Sequence, residues 1–127
     1  MRVGILIAIA AGLALAAPVS AAPDGRIAAR CSASGDVCYG VFDDHGTIRF
    51  QLTLAAKYFT RYRICVRPPR GATCKSFPVK RVGSQFGGAV LWTRNFPVRG
   101  LGRYRVTWRR GAQALGPALL FEPSKQL

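Results

Sequence analysis

The feature of the chain that most limits its fold is the alternation of apolar and polar side chains between turn-forming residues. Because successive side chains of a strand point to opposite faces, each apolar set lies on one face of a sheet. The stretches after the N-terminal segment show no convincing 3.6-residue periodicity, so the pattern predicts an antiparallel β-sandwich. The clearest apolar sets are Ile48, Phe50, Leu52 and Leu54; Tyr58, Tyr62, Ile64 and Val66; and Tyr104, Val106 and Trp108.

Further strands are predicted over residues 37–43, 74–82, 88–94 and 118–121. In the first of these, either Tyr39 and Val41 or Cys38 and Phe42 face the core. The second directs Phe77 and Val79 inward and lies at a sheet edge because it contains Pro78, and the third contains Val90 and Trp92. About seven short strands are the number expected of a sandwich of this size.

The N-terminus predicts a cleavable signal peptide over residues 1–21. Arg2 precedes an apolar run over residues 3–17, and Val19-Ser20-Ala21 supplies the small residues of a cleavage site after Ala21 or Ala22. The run is shorter than the roughly 20 residues of a membrane span, although an uncleaved anchor is the alternative. We therefore expect residues 22–127 to form one secreted, extracytoplasmic domain without a transmembrane span.

Four cysteines in an exported chain predict disulfide bonds. Three pairings are possible, and the spacing favours Cys31–Cys38 and Cys65–Cys74 because each pair brackets a turn-rich segment. A zinc site would need closer C-x2-4-C spacing, so no metal is predicted.

A short motif refines the fold prediction. The segment Gly102-Arg103-Tyr104-Arg105-Val106 follows a turn and opens a strand, and it resembles the Gly-x-Tyr-x-Cys stretch of immunoglobulin-like domains, with valine in place of the cysteine. The resemblance implies an immunoglobulin-like sandwich in which Tyr104 forms the tyrosine corner at the start of strand F.

The chain from Cys31 to about Phe121 also resembles small secreted immunoglobulin-like β-sandwich proteins of GC-rich Gram-positive bacteria, of the actinobacterial type. That resemblance is carried by the paired cysteines, by KYFTRYRIC (residues 57–65), and by Phe96-Pro97 ahead of the tyrosine motif. It implies export and fold, and it brings no catalytic residues.

The sequence contains few of the residue patterns that enzymatic catalysis requires. The one histidine, His45, stands in Asp43-Asp44-His45-Gly46, which is typical of a hairpin turn with an aspartate capping its own backbone and glycine at positive φ. No nucleophile motif, phosphate loop or dinucleotide fingerprint is present, so neither catalytic residues nor a cofactor are predicted. The alternative is a secreted enzyme or inhibitor with its site in the loops near His45 or between Pro68 and Thr73.

The charge pattern points to anionic partners. The chain has 19 basic against 5 acidic residues and a net charge of +14. If the strands from Tyr58 and Arg103 are neighbours, their outward arginines cover one face with no acid on either strand; the candidate anion-binding residues are Arg61, Arg63, Arg67, Arg103, Arg105 and Arg109.

Two interpretations of this face stay open. It can bind an anionic envelope polymer or an acidic partner protein, or it can be an ordinary solvated surface in a chain whose genome favours arginine. Nucleic acid is the weaker partner, because Tyr58, Tyr62, Tyr104 and Trp108 are predicted to point to the core. Oligomeric state is not indicated by the sequence.

Overall fold

The computed structural model describes residues 25–123, and the predicted signal peptide lies outside these residues. The described part of the chain folds into short strands and one helical turn. In chain order they are β1 (Arg26–Cys31), β2 (Val37–Asp44), β3 (Thr47–Leu54), β4 (Arg61–Arg67), β5 (Thr73–Pro78), β6 (Lys80–Val82), β7 (Gln85–Leu91), α1 (Trp92–Asn95), β8 (Tyr104–Arg110), β9 (Gln113–Ala114) and β10 (Leu119–Phe121).

The strands form two packed antiparallel sheets. The first sheet has the order β1-β2-β3-β7-β6, and the second has the order β10-β8-β4-β5, with β9 pairing to β8. The prediction of an all-β chain with packed antiparallel sheets is therefore confirmed. Within residues 25–123, no helix is long and apolar enough to span a membrane.

The core lies between the sheets and is built from the alternating apolar positions. All four apolar residues of β3 are buried, as are Tyr62, Ile64 and Val66 of β4 and the three predicted residues of β8. Strand β2 buries Tyr39 and Val41, which decides the alternative that its sequence left open. Phe50 links the sheets through edge-on contacts with Trp108 and Phe121, at ring-centroid distances of 6.1 and 5.7 Å.

Tyr104 fixes the chain segment that leads into β8. Its ring is fully buried. Its hydroxyl donates a hydrogen bond to the carbonyl of Gly100 at 2.6 Å and accepts one from the N–H of Arg99 at 2.9 Å. A buried tyrosine hydroxyl needs such partners, and here both belong to the backbone a few residues upstream.

Two predictions about the middle of the chain were wrong. Tyr58 is 44% exposed, because its N–H donates to the carbonyl of Ala56 in a bend and β4 begins only at Arg61. Residues 74–82 form two strands, since β5 pairs with β4 in the second sheet and β6 pairs with β7 in the first. The chain crosses between the sheets at Val79, which is buried, directly after Pro78, which has no N–H to extend the ladder. The edge position of the Pro78 strand is correct, because β5 ends the second sheet.

The strand predicted over residues 88–94 is wrong at its C-terminal end. Strand β7 stops at Leu91, and the helical turn α1 follows. Trp92 is buried, edge-on to Tyr104 and Phe121 at 5.0 and 5.2 Å. A helical turn brings Trp92 and Phe96 within about 6 Å of rise, against roughly 13 Å in a strand, so both side chains enter one core.

Candidate anion-binding face

Strands β4 and β8 are neighbours, and their register places arginines opposite one another. Arg63 is opposite Arg109, and Arg67 is opposite Arg105. Between these two pairs, Cys65 is opposite Thr107. Side chains directly opposite in an antiparallel pair have Cβ atoms about 5 Å apart, so each arginine pair presents two guanidinium groups to one small region of solvent.

The two pairs surround a shallow cavity of about 470 Å³ on the outer surface of the second sheet, which we call the cationic depression. Four arginines, Arg63, Arg67, Arg105 and Arg109, line it, together with Cys65, Cys74, Thr107 and the turn residues Ala72, Gly111 and Ala112. Its volume falls in the range of small-ligand sites, about 300–1,000 Å³. The depression is thus large enough for part of a polymer chain.

The floor of the cationic depression includes a disulfide bond. Cys65 and Cys74 are paired across β4 and β5, and Cys31 and Cys38 are paired across β1 and β2, so both predicted disulfides are confirmed. The small side chains of Cys74, Cys65 and Thr107 follow one another across three adjacent strands. Larger residues at these positions would fill the space between the arginine pairs.

None of the four arginines that line the depression has an acidic partner among the described residues. In residues 25–123, no carboxylate lies within 4.0 Å of any of the four guanidinium groups. Arg109 donates from Nη1 to the carbonyl of Ala112 at 3.0 Å, which orients its side chain without neutralising its charge. Within the described part of the chain, no acidic side chain is therefore placed to balance the charge on this surface.

Two of the six predicted residues lie outside the depression. Arg103 precedes β8 and forms an exposed ion pair with Glu122, 3.4 Å between Nε and Oε1. Arg61 begins β4, where Pro78 of the edge strand is its paired residue. The structure therefore brings four of the predicted arginines together and leaves Arg61 and Arg103 at the margins.

Sequence reasoning did not identify the rim of the depression. Gly111 and Ala112 form a tight turn between β8 and β9, in which Arg109 pairs with Ala114 and Arg110 with Gln113. In the sequence, Gly111 is recognisable only as a break between strands. Gly111 lines the cavity because the turn lies over the outer face of the second sheet. The local residues do not specify over which face the turn lies.

The residues of the alternative site lie elsewhere. His45 and Gly46 form a two-residue turn at positive φ, 52° and 88°, and the N–H of Gly46 donates to Oδ1 of Asp43 at 2.7 Å. The predicted hairpin turn is confirmed, and the His45 side chain is fully exposed on it. The loop from Pro68 to Thr73 borders a cavity of about 100 Å³ together with Phe96, Pro97 and Arg99. In the described part of the chain, no group of three or more His, Cys, Asp or Glu residues is placed to hold a metal ion.

The chemistry available to the cationic depression is anion recognition. Guanidinium groups bind carboxylate, sulfate and phosphate through paired N–H donors. The aromatic residues of the same strands, Tyr62, Tyr104 and Trp108, are buried on the opposite face of the sheet, so they offer no surface for stacking bases. No protein-family model matches this chain, and neither a curated protein nor a solved structure matches it. Function has to be inferred from these residues themselves.

Proposed function

We propose that the protein is a secreted, non-enzymatic binding module of immunoglobulin-like fold that uses the cationic depression to contact an anionic polymer of the cell envelope. The observation that carries the proposal is the pairing of Arg63 with Arg109 and of Arg67 with Arg105 on adjacent strands, with no carboxylate within 4.0 Å in residues 25–123.

The strand order supports an immunoglobulin-like assignment. The order β2-β3-β7-β6 in the first sheet corresponds to strands A, B, E and D of such domains. The order β10-β8-β4-β5 corresponds to G, F, C and an added C′ strand. In this assignment Tyr104 lies at the start of strand F, and its bonds to Arg99 and Gly100 are those expected of a tyrosine corner.

Two features support secretion. The sequence of residues 1–21 has the charged, apolar and small-residue regions of a signal peptide. All four cysteines are paired in disulfides, which persist in oxidising compartments outside the cytoplasm.

The electrostatics of the face favour a ligand. Like charges directly opposite in a sheet are destabilising, and two charges 4 Å apart in bulk water repel by about 1 kcal/mol. Of the acidic residues in the described part of the chain, Asp36, Asp43 and Asp44 belong to the first sheet and its turns, and Glu122 is paired with Arg103. A bound anion would relieve a repulsion that the acidic residues in the range 25–123 leave in place.

Salt-gradient elution from immobilised heparin, used as a model polyanion, tests the proposal. We expect wild-type protein to be retained above ~0.15 M salt, near physiological ionic strength, and Arg67→Gln with Arg105→Gln to elute at clearly lower salt. The control is Lys80→Gln with Arg81→Gln, which removes the same charge from exposed positions on β6 of the first sheet. Equal shifts for the two double variants would show that retention reflects net charge alone and would refute the proposal.

A further inference from the structure

The two arginine pairs are well separated along the strands. Arg63 and Arg67 are four residues apart on β4, as are Arg105 and Arg109 on β8. At about 3.3 Å per residue, the Cα atoms of the two pairs are roughly 13 Å apart. A phosphate, sulfate or carboxylate group bound at one pair therefore leaves the other pair available for a second anionic group.

The space between the pairs is uncharged. It is lined by the Cys65–Cys74 disulfide and by Thr107, a half-buried residue whose hydroxyl can donate and accept hydrogen bonds. A ligand that fills the depression therefore needs an anionic group at each end and a neutral, hydroxyl-bearing part in the middle.

We infer that the ligand is an anionic polysaccharide, with two charged substituents held by the Arg63–Arg109 and Arg67–Arg105 pairs and a neutral sugar portion lying over Thr107 and the disulfide. This inference rests on the proposed function and specifies the ligand for the same site. Single-stranded nucleic acid fits less well, because Tyr62, Tyr104 and Trp108 are buried beneath the face. A lipid surface fits less well because the arginines surround a concavity rather than a protruding apolar surface.

The inference predicts a threshold in ligand length. A ligand that reaches both arginine pairs converts the second contact into an intramolecular one, which strengthens binding without any new type of contact. We expect a heparin hexasaccharide to bind about 10-fold or more tightly per charged group than a heparin disaccharide. Isothermal titration calorimetry at low salt measures both dissociation constants.

Two double variants remove one pair each. Arg63→Gln with Arg109→Gln, and separately Arg67→Gln with Arg105→Gln, should abolish the gain with length, so that the hexasaccharide binds no more tightly per charge than the disaccharide. The control Lys80→Gln with Arg81→Gln should keep the gain. Circular dichroism and urea denaturation of each variant verify that the fold is retained.

Thr107 tests the neutral middle of the site. Thr107→Val keeps the shape and the strand preference of the side chain and removes its hydroxyl. We expect this variant to bind the hexasaccharide several-fold more weakly and to bind inorganic tripolyphosphate as the wild type does, because a phosphate chain presents no sugar hydroxyl.

The outcomes separate the inference from the proposed function. The two-pair polysaccharide site is overturned if affinity per charge does not depend on oligosaccharide length, or if it rises with length equally in both pair variants. Arginine-dependent retention on heparin would still uphold an anion-binding face in that case. Arginine-dependent binding to oligonucleotides or anionic vesicles that exceeds binding to the hexasaccharide also overturns it. If retention of the protein on heparin does not depend on these arginines, both the polysaccharide site and the proposed function are overturned.

Discussion

Removal of the Tyr104 hydroxyl should destabilise the protein more than removal of the hydroxyl of Tyr39 or Tyr62. In Tyr104→Phe, the carbonyl of Gly100 loses a donor at 2.6 Å and the N–H of Arg99 loses an acceptor at 2.9 Å. A hydrogen bond of this kind contributes about 0.5–1.5 kcal/mol net, so the two together predict a loss of about 2 kcal/mol. For a domain of this size, that corresponds to a fall in melting temperature of about 10 °C.

Two other tyrosines provide a graded control. Tyr39 donates a single hydrogen bond, to the carbonyl of Pro117 at 2.7 Å, so Tyr39→Phe should cost about 1 kcal/mol. Tyr62 is buried without a hydrogen bond to another residue in the range 25–123, so Tyr62→Phe should change stability by no more than about 0.5 kcal/mol.

Urea denaturation followed by tryptophan fluorescence measures all three variants. Trp92 and Trp108 are both at most 1% exposed, so their emission reports the loss of the core. The slope of unfolding free energy against urea should be unchanged, which shows that the variants alter stability and not the surface exposed on unfolding. A Tyr104→Phe loss no larger than that of Tyr62→Phe would refute the idea that the hydroxyl secures the segment before β8.

Three further predictions follow from local features. Gly46 adopts φ 88° with open space around it, so Gly46→Ala should lower the free energy of unfolding by about 1–2 kcal/mol from backbone strain alone, and Gly46→Asn should lower it less. A loss in Gly46→Ala below roughly 0.3 kcal/mol, about the error of the urea measurement, would contradict this. Burial raises the pKa of Tyr62 from 10.0 to about 12. The unfolded chain therefore ionises first, and stability should be lost between pH 10 and pH 12. Urea titrations across that range should show a smaller loss of stability in Tyr62→Phe, and an equal loss would contradict the assignment. Replacing Cys65 and Cys74 with alanine should lower the free energy of unfolding by about 2.5 kcal/mol at neutral pH, because the disulfide no longer restricts the unfolded chain, and unchanged stability would contradict that account.

The strands that the sequence predicted best are those with one fully buried face. Strand β3 alternates strictly because its inner residues are buried along its whole length. Strand β1 was missed, since RIAARC lies at a sheet edge and only Ala28 is partly buried, so no alternation is required of it. The crossing at Val79 was missed for a related reason: the apolar spacing from Phe77 to Val79 continues unbroken while the chain changes sheets.

The candidate site was predicted in part because its arginines lie on regular strands. Alternation placed Arg63, Arg67, Arg105 and Arg109 outward, and the immunoglobulin-like resemblance made β4 and β8 neighbours. The concavity could not be predicted, because it depends on where the β8–β9 turn lies relative to β4. The ion pair joins Arg103, directly before β8, to Glu122, directly after β10 and 19 positions along the chain, and no local pattern indicates it.

The arrangement of charges connects the stability of the fold to its proposed ligand. If the paired arginines repel, Arg67→Gln with Arg105→Gln should raise the free energy of unfolding at low salt, and added salt should reduce the difference by screening. An anion that binds the folded protein should stabilise the wild type by RT ln(1 + [L]/Kd) and should stabilise this variant less. A merely solvated face would show the first effect without the second, since repulsion needs no specific ligand. Stability measured with and without heparin oligosaccharide therefore distinguishes a binding surface from an ordinary basic one without any assay of biological activity.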